Sequence, residues 1–421
     1  MRAIKPPPHG TRALLWPQRS TDVVRDNILF LYHDVLWSSL LTGIINTFLS
    51  VFLLRLGGTA LQVGLLVSLP SVAGTFLSFR AAAYVNRHRH SLKTVIVPSL
   101  IFRAGYPLLA IVPLLQPAPR TWVFVAIVAI TSAPTVISNI AITSQIGDVL
   151  PVDRRAHVLS VRNMLSGIGS TLAALAGGWA LAFLPFPGNY QAVFIFSFAL
   201  SLIGLYHRGR LVLPAASRAG SATVPARQAS TRVVLSRPAF RHFSAGVGVY
   251  LAGLYLPTAL FSIYLVKTLH ASDIWVGIVG TGGSLAATVA YPLWGRLLGR
   301  GRLRRMLPVA SIGLGLFPAL VALAPNVVFY GIANVYGNLF GAGVTTGWTQ
   351  ALIEMGPPEE RPTRIAVYNT LAGATAVAMP LLGTLLYQQI GIQGALFVAA
   401  ALRLLGAAFY VTMPAWEADQ G

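Results

Sequence analysis

Within the apolar stretch FLYHDVLWSSLLTGIIN, Phe30 to Asn46, stand an imidazole and a carboxylate, His33 and Asp34. Inside a bilayer an acid at that position costs roughly 2.5 kcal/mol or more unless it is paired, hydrated or protonated. Taking up and releasing a proton is chemistry such a group can do, provided that its surroundings change. The two side chains are neighbours in sequence but point about 100° apart on a helix. Arg103, well inside another apolar stretch, is the basic group expected to reach toward Asp34, and no other is expected at depth in the N-terminal half. Asp34, His33 and Arg103 are therefore the candidate proton-handling set. The competing assignment is a static Asp34–Arg103 pair that orients helices. Arg403, deep in the last apolar stretch, has no assigned role.

Other chemistries find no residues to carry them. The chain has no cysteine, which removes disulfides, thiol catalysis and cysteine-bound zinc. It has no Gly-x-x-x-x-Gly-Lys-Ser/Thr phosphate loop, no His-Glu-x-x-His and no Gly-x-Ser-x-Gly elbow. The remaining histidines form no metal-binding spacing. No cofactor, no metal and no enzymatic activity are expected.

The elements that must position these residues are membrane helices. The 421 residues are 55% hydrophobic and 10% charged, with a mean hydropathy of +0.68. A soluble domain carries about a quarter charged residues. Apolar runs near the ~20 residues that cross a bilayer recur along the whole chain. The fold class is all-α, a polytopic membrane protein of twelve transmembrane helices. The first span is expected at 28–54, the sixth at 189–206, and the last two at 365–389 and 392–413. Residues 1–25 are basic and Pro-rich, lack the apolar core of a signal peptide, and are expected to be a disordered tail.

Charge orients these spans. Arg55, Arg120 and Lys267 are the basic residues on one side, Arg103 and Arg403 lie within spans, and the rest of the 31 Lys and Arg fall on the side of the N-terminus. Positive charge stays in the cytoplasm, so both termini are expected there, in a multi-pass protein of the cell membrane. The formal charge of +20 is then a face that attracts anionic lipid headgroups. It does not indicate nucleic acid.

The longest loop is central and divides the chain. The expected organisation is a tail (1–25), a six-helix bundle (26–206), a basic linker (207–242), a second six-helix bundle (243–413) and a short tail (414–421). The halves echo one another. GDVLPVDRRAHVLSVRNMLSG, from Gly147, and IEMGPPEERPTRIAVYNTLAG, from Ile353, align Asp148 with Glu354, Arg155 with Arg361 and Asn163 with Asn369. AAYVNRHRHSLK, after the second span, and GRLLGRGRLRRM, after the eighth, align Arg87 with Arg300.

In these features the chain resembles the major facilitator superfamily over essentially its whole length. That family has six plus six spans, a long central loop, and a Gly-x-x-x-Asp-Arg-x-Gly-Arg-Arg signature after the second span, often echoed after the eighth. Here Gly295 to Arg302 is the better copy, with Gly299 in place of the Asp; the first copy keeps Arg87 but has Ala82 and Asn86. The resemblance implies two parallel repeats around a midplane cavity, with alternating access by rocking. Because the signature Asp is missing twice, the gate on the terminal side is expected to use Arg87, Asp148, Arg155, Gly295, Arg300, Glu354 and Arg361. The alternative is that these are ordinary interfacial charges.

The resemblance also implies that spans one, four, seven and ten line the cavity. Asp34, Ser38, Thr42, Asn46 and Ser50 recur every four residues along one ridge of span one. Thr135 and Asn139 do so in span four, Tyr255 and Thr258 stand in span seven, and Asn334, Asn338 and Trp348 in span ten. The mixture of aromatic and weakly polar groups, without a pair of facing cations, points to amphipathic solutes. The expected function is proton-coupled efflux of a small organic molecule by a monomer. The alternatives are sugar or metabolite uptake by symport, and a non-transport protein or lipid translocator.

Overall fold

The computed structural model describes residues 22–88, 91–213, 231–298, 302–357 and 360–414. Among them every regular element is helical. Ten helices are long and apolar enough to cross a bilayer. One of these, Thr363–Val411, makes two crossings, because Gly391 breaks it with φ 75°. Another helix, Ala60–Arg87, is apolar over Ala60–Gly74 and completes twelve.

In chain order these are α1 (Val23–Arg55), α2 (Ala60–Arg87), α3 (Lys93–Leu114), α4 (Pro117–Val149), α5 (Val152–Phe183) and α6 (Gly188–Gly209). The second half has α7 (Pro238–Thr268), α8 (Asp273–Leu297), α9 (Leu303–Ala322) and α10 (Val327–Glu354), then α11 and α12 on either side of Gly391. A short helix, Thr231–Ser236, precedes α7.

Several starts are legible in the chain. The Asp22 carboxylate accepts from the amides of Val24 and Arg25, Thr59 and Gln62 form a capping box, and Asn326 caps α10 through the amide of Phe329. These groups satisfy amides that have no partner inside the helix.

In the first half α1 packs on α5 and α6, and α4 packs on α2 and α3; in the second, α10 packs on α8 and α9. The halves meet where α5 lies along α8 and α2 along α11. The α5–α8 seam is tightest away from the termini. There a Cβ on Gly178 would stand 3.2 Å from the Gly277 Cα, whereas one on Gly167 would meet only Thr288, at 3.9 Å. The same far face carries polar bonds between the halves. Arg55 Nη2 reaches Asp273 Oδ1 at 3.2 Å and the Ala271 carbonyl at 2.8 Å, Tyr190 Oη donates to Asp273 at 2.8 Å, and Lys267 Nζ donates to the Gly58 carbonyl at 3.1 Å.

One span differs from its expected limits in a way that matters. The sixth was expected to end at 206, with Arg208 in the linker. Instead α6 continues to Gly209 and carries Arg208 into the bundle, where it is 8% exposed. Arg403 also finds its place. Its guanidinium, 1% exposed, donates to the carbonyls of Gly253 (2.9 Å), Leu314 (3.1 Å) and Leu254 (3.4 Å). Gly253 and Leu314 each stand four residues before a proline, Pro257 and Pro318, which has no N–H to offer them. One arginine thus serves carbonyls left open in two helices.

Candidate functional site

Asp34 lies on the buried side of α1 and is fully enclosed. Small residues let two helices close on it. At Gly204 of α6 a Cβ would stand 2.8 Å from the Asp34 carbonyl and 2.7 Å from Ser38 Oγ. Gly169 of α5 sits against Ser39 in the same way. One turn beyond Gly204 comes Arg208, and two turns before Gly169 comes Arg162. The glycines bring the helices in, and the arginines follow.

The result is a cluster of three guanidiniums around one carboxylate. Arg208 Nη2 donates to Asp34 Oδ2 at 2.6 Å, and Arg162 Nη2 stands 3.8 Å from the same oxygen. Ser38 Oγ donates to the other oxygen, Oδ1, at 3.3 Å, and itself accepts from Arg103 Nη2 at 2.7 Å. Arg103 also donates to the Ser201 carbonyl at 3.0 Å. Arg208 Nη1 donates to Ser99 Oγ at 3.1 Å, and Ser99 is hydrogen-bonded to Ser138 at 2.5 Å.

A cavity of about 440 Å³ opens beside this cluster. Arg103, Arg208, Ser38 and Ser99 line its polar part. Leu41, Ile45, Phe102 and Tyr106 line its apolar part. Asp34 stands behind Ser38 and Arg208 and does not reach the lumen.

The expected residues divide into three groups. Ser38, Thr42, Thr135 and Asn139 line the cavity, and Asn46 is exposed along the same ridge of α1. The expected second-half residues do not line this cavity, whose walls all come from the first half, and Tyr255, Thr258, Asn334 and Asn338 are half-buried. Trp348 is 5% exposed and donates to Tyr410 Oη, Asn338 bonds to Asn334 against Gly283 of α8, and Thr258 bonds back to the Tyr255 carbonyl. Trp348 therefore belongs to the packed core rather than to a cavity wall. His33 does not approach the carboxylate; it bonds to the Leu29 carbonyl and its ring lies 5.0 Å from that of His207. Arg103 meets Asp34 through Ser38.

Of the expected gate, Arg87 is exposed, Asp148 is half-buried, and Glu354 accepts from Gln350 at 2.8 Å. A Cβ on Gly295 would find open space. Arg300 lies outside the described residues, as do the side chains of Arg155 and Arg361.

Two expectations are corrected here. Arg103 is not the only basic group at depth in the N-terminal half, and the cavity does hold two cations. Arg162 stands in the first turns of one apolar run and Arg208 just past the end of another, where charge reads as interfacial. Their spacing from Gly169 and Gly204 was the available sign.

This architecture has known counterparts. The family model described as Major Facilitator Superfamily matches residues 35–263 and 243–419. The chain belongs to the Major Facilitator Superfamily. Its likeness to solved transporter structures extends over nearly its full length. A bacterial homolog of the human lysosomal transporter Spinster, in an inward-facing and unoccupied conformation, superposes with a TM-score of 0.72, covering 94% of this chain and 98% of its own at 14% identity. The nucleoside transporter NupG gives 0.68, covering 93% and 99%, also at 14% identity. The D-xylose-proton symporter gives 0.67, covering 94% and 99%, at 12% identity. Among curated relatives, the multidrug resistance protein MdtG of Escherichia coli (strain 55989 / EAEC) is 28% identical over 173 residues. That match spans 41% of this superfamily member and 41% of the relative.

Proposed function

We propose that the protein is a secondary active transporter that carries a small organic solute by alternating access, exporting amphipathic compounds in exchange for protons. The cavity carries this reading: a chamber of about 440 Å³ with an apolar wall and a polar end, set against a buried carboxylate. The partial likeness to MdtG, a multidrug resistance protein, supports export. With the basic face in the cytoplasm, a molecule sealed at its far face would load solute from the cytoplasm. The chain would act as a monomer whose basic face touches anionic lipid headgroups.

Proton coupling in this reading centres on Asp34. Arg208 faces it from α6, Arg162 from α5, and Arg103 from α3 through Ser38, while the His33 ring is directed to that of His207, 5.0 Å away. Both carboxylate oxygens are engaged, so Asp34 accepts a proton only when the Arg208 guanidinium moves aside. That displacement would be the coupled step, and the far-face contacts would open as it occurs.

The test is transport in liposomes of purified protein under an imposed pH gradient. Asp34→Asn is expected to abolish uphill movement and to retain downhill exchange. Uphill movement at the wild-type rate in that variant would remove Asp34 from the coupling.

A second reading, uptake by symport, is favoured by one observation, the placement of Arg208 between Asp34 and the cavity. If the solute itself draws Arg208 away, it releases Asp34 to take a proton, and the two load together. The polarity of the gradient that drives accumulation separates the readings. Accumulation toward the acid side marks antiport, and accumulation toward the alkaline side marks symport.

A further inference from the structure

We propose that Arg103 and Arg208 form an anion subsite in the cavity wall, and that the transported solute carries an oxyanion group on an apolar body. This inference rests on the transporter reading and names its substrate class. It starts from charge. Arg103, Arg162 and Arg208 are all largely buried, on α3, α5 and α6, and they share the single carboxylate of Asp34. Among the described residues no other acid pairs with any of the three. Positive charge is thus left in excess where hydration is poor, a condition that a bound anion relieves.

Unused donors point the same way. Arg208 Nε and Arg162 Nε are buried and have no acceptor among the described residues. Arg103 gives its protons to a hydroxyl and a backbone carbonyl, both neutral acceptors that a carboxylate outcompetes. The Ser99–Ser138 hydroxyl pair lines the cavity beside Arg208 and adds a donor able to turn toward an anion.

The contrast within the molecule is informative. Arg403 is equally buried, but its guanidinium is spent on three carbonyls, so its surroundings require no anion. Arg103 and Arg208 instead border a chamber whose other wall is Phe102, Tyr106 and aliphatic side chains. Such a chamber suits an amphipathic acid. It disfavours an amphipathic amine, which would face like charge.

The experiment compares three probes that share one apolar body: 4-phenylbutyrate, 4-phenylbutyramide and 4-phenylbutylamine. Each is titrated against the purified protein in nanodiscs of neutral lipid, and the rise in unfolding temperature is read. The acid is expected to bind at least about tenfold more tightly than the amide, as charged hydrogen bonds require. In Arg103→Gln the acid loses that advantage, and Arg103→Lys keeps part of it. The variant Arg208→Gln removes the other guanidinium of the subsite and lowers the excess charge by one, and it too is expected to bind acid and amide alike. It serves if Arg103→Gln fails to fold. The proposal is overturned if the acid binds no tighter than the amide or the amine, or if its advantage survives in every folded variant. Because this is equilibrium binding, its outcome is separate from whether a pH gradient drives transport.

Discussion

A guanidinium inside hydrocarbon needs acceptors, and Arg403 and Arg208 solve that problem in different ways. Arg403 fills the gaps that Pro257 and Pro318 leave in α7 and α9. Removing it strands two buried carbonyls, at about 1–3 kcal/mol each. Arg403→Met is therefore expected to lower stability by roughly 2–6 kcal/mol, less whatever the guanidinium's own burial costs. In a cycle with Pro257→Ala, which returns a donor to Gly253, the double variant should lose less than Arg403→Met alone. Additive losses in chemical denaturation would reject this account. The depth of Asp34 and of Arg403 was legible in the sequence, since each interrupts an apolar run. The partners were not. Arg208 lies 174 residues from Asp34 and past the end of its own apolar run, so only the packing of α6 on α1 joins them.

The helices are close-packed where small residues allow it, and Gly204 is the point on which the charge cluster depends. A side chain there would collide with Ser38 Oγ and with the Asp34 backbone, pushing α6 away from α1. Gly204→Val is expected to destabilise the first bundle by about 1–3 kcal/mol. It should also lengthen the Arg208–Asp34 contact, so that downhill transport falls together with the unfolding temperature. If both stay at wild-type values, α6 is not held in this way. At this scale the sequence was informative, because hydropathy alone marked the twelve crossings. The gap expected between 389 and 392 contains Gly391, where the last two helices part. Helix ends were less legible: the extra residues of α6 are polar, and their burial is decided by Asp34 on another helix.

The two bundles are held at the far face by a small polar junction in which Asp273 receives both Arg55 and Tyr190. The repeated signature points to a gate at the opposite face, whereas nothing in the sequence pattern links Arg55 to Asp273 across 218 residues. Asp273→Asn is expected to weaken far-face closure by about 1 kcal/mol, shifting the population roughly fivefold toward opening there. As the chain lacks cysteine, Asn46→Cys gives a single reporter thiol beside Thr47, the α1 residue that faces Gly280 of α8. Its labelling by a membrane-impermeant maleimide from the far side should accelerate about fivefold in the Asp273→Asn background. An unchanged rate would show that apolar packing at Gly178 and Gly277 holds that face without the junction.

The joint at Gly391 has a consequence for how the molecule can be recognised from outside. A reversal made by one left-handed residue leaves no ribbon of chain for a protease cleft to grip and no loop for an antibody to clasp. Anything that engages α11 and α12 from that side must read a blunt helical corner instead.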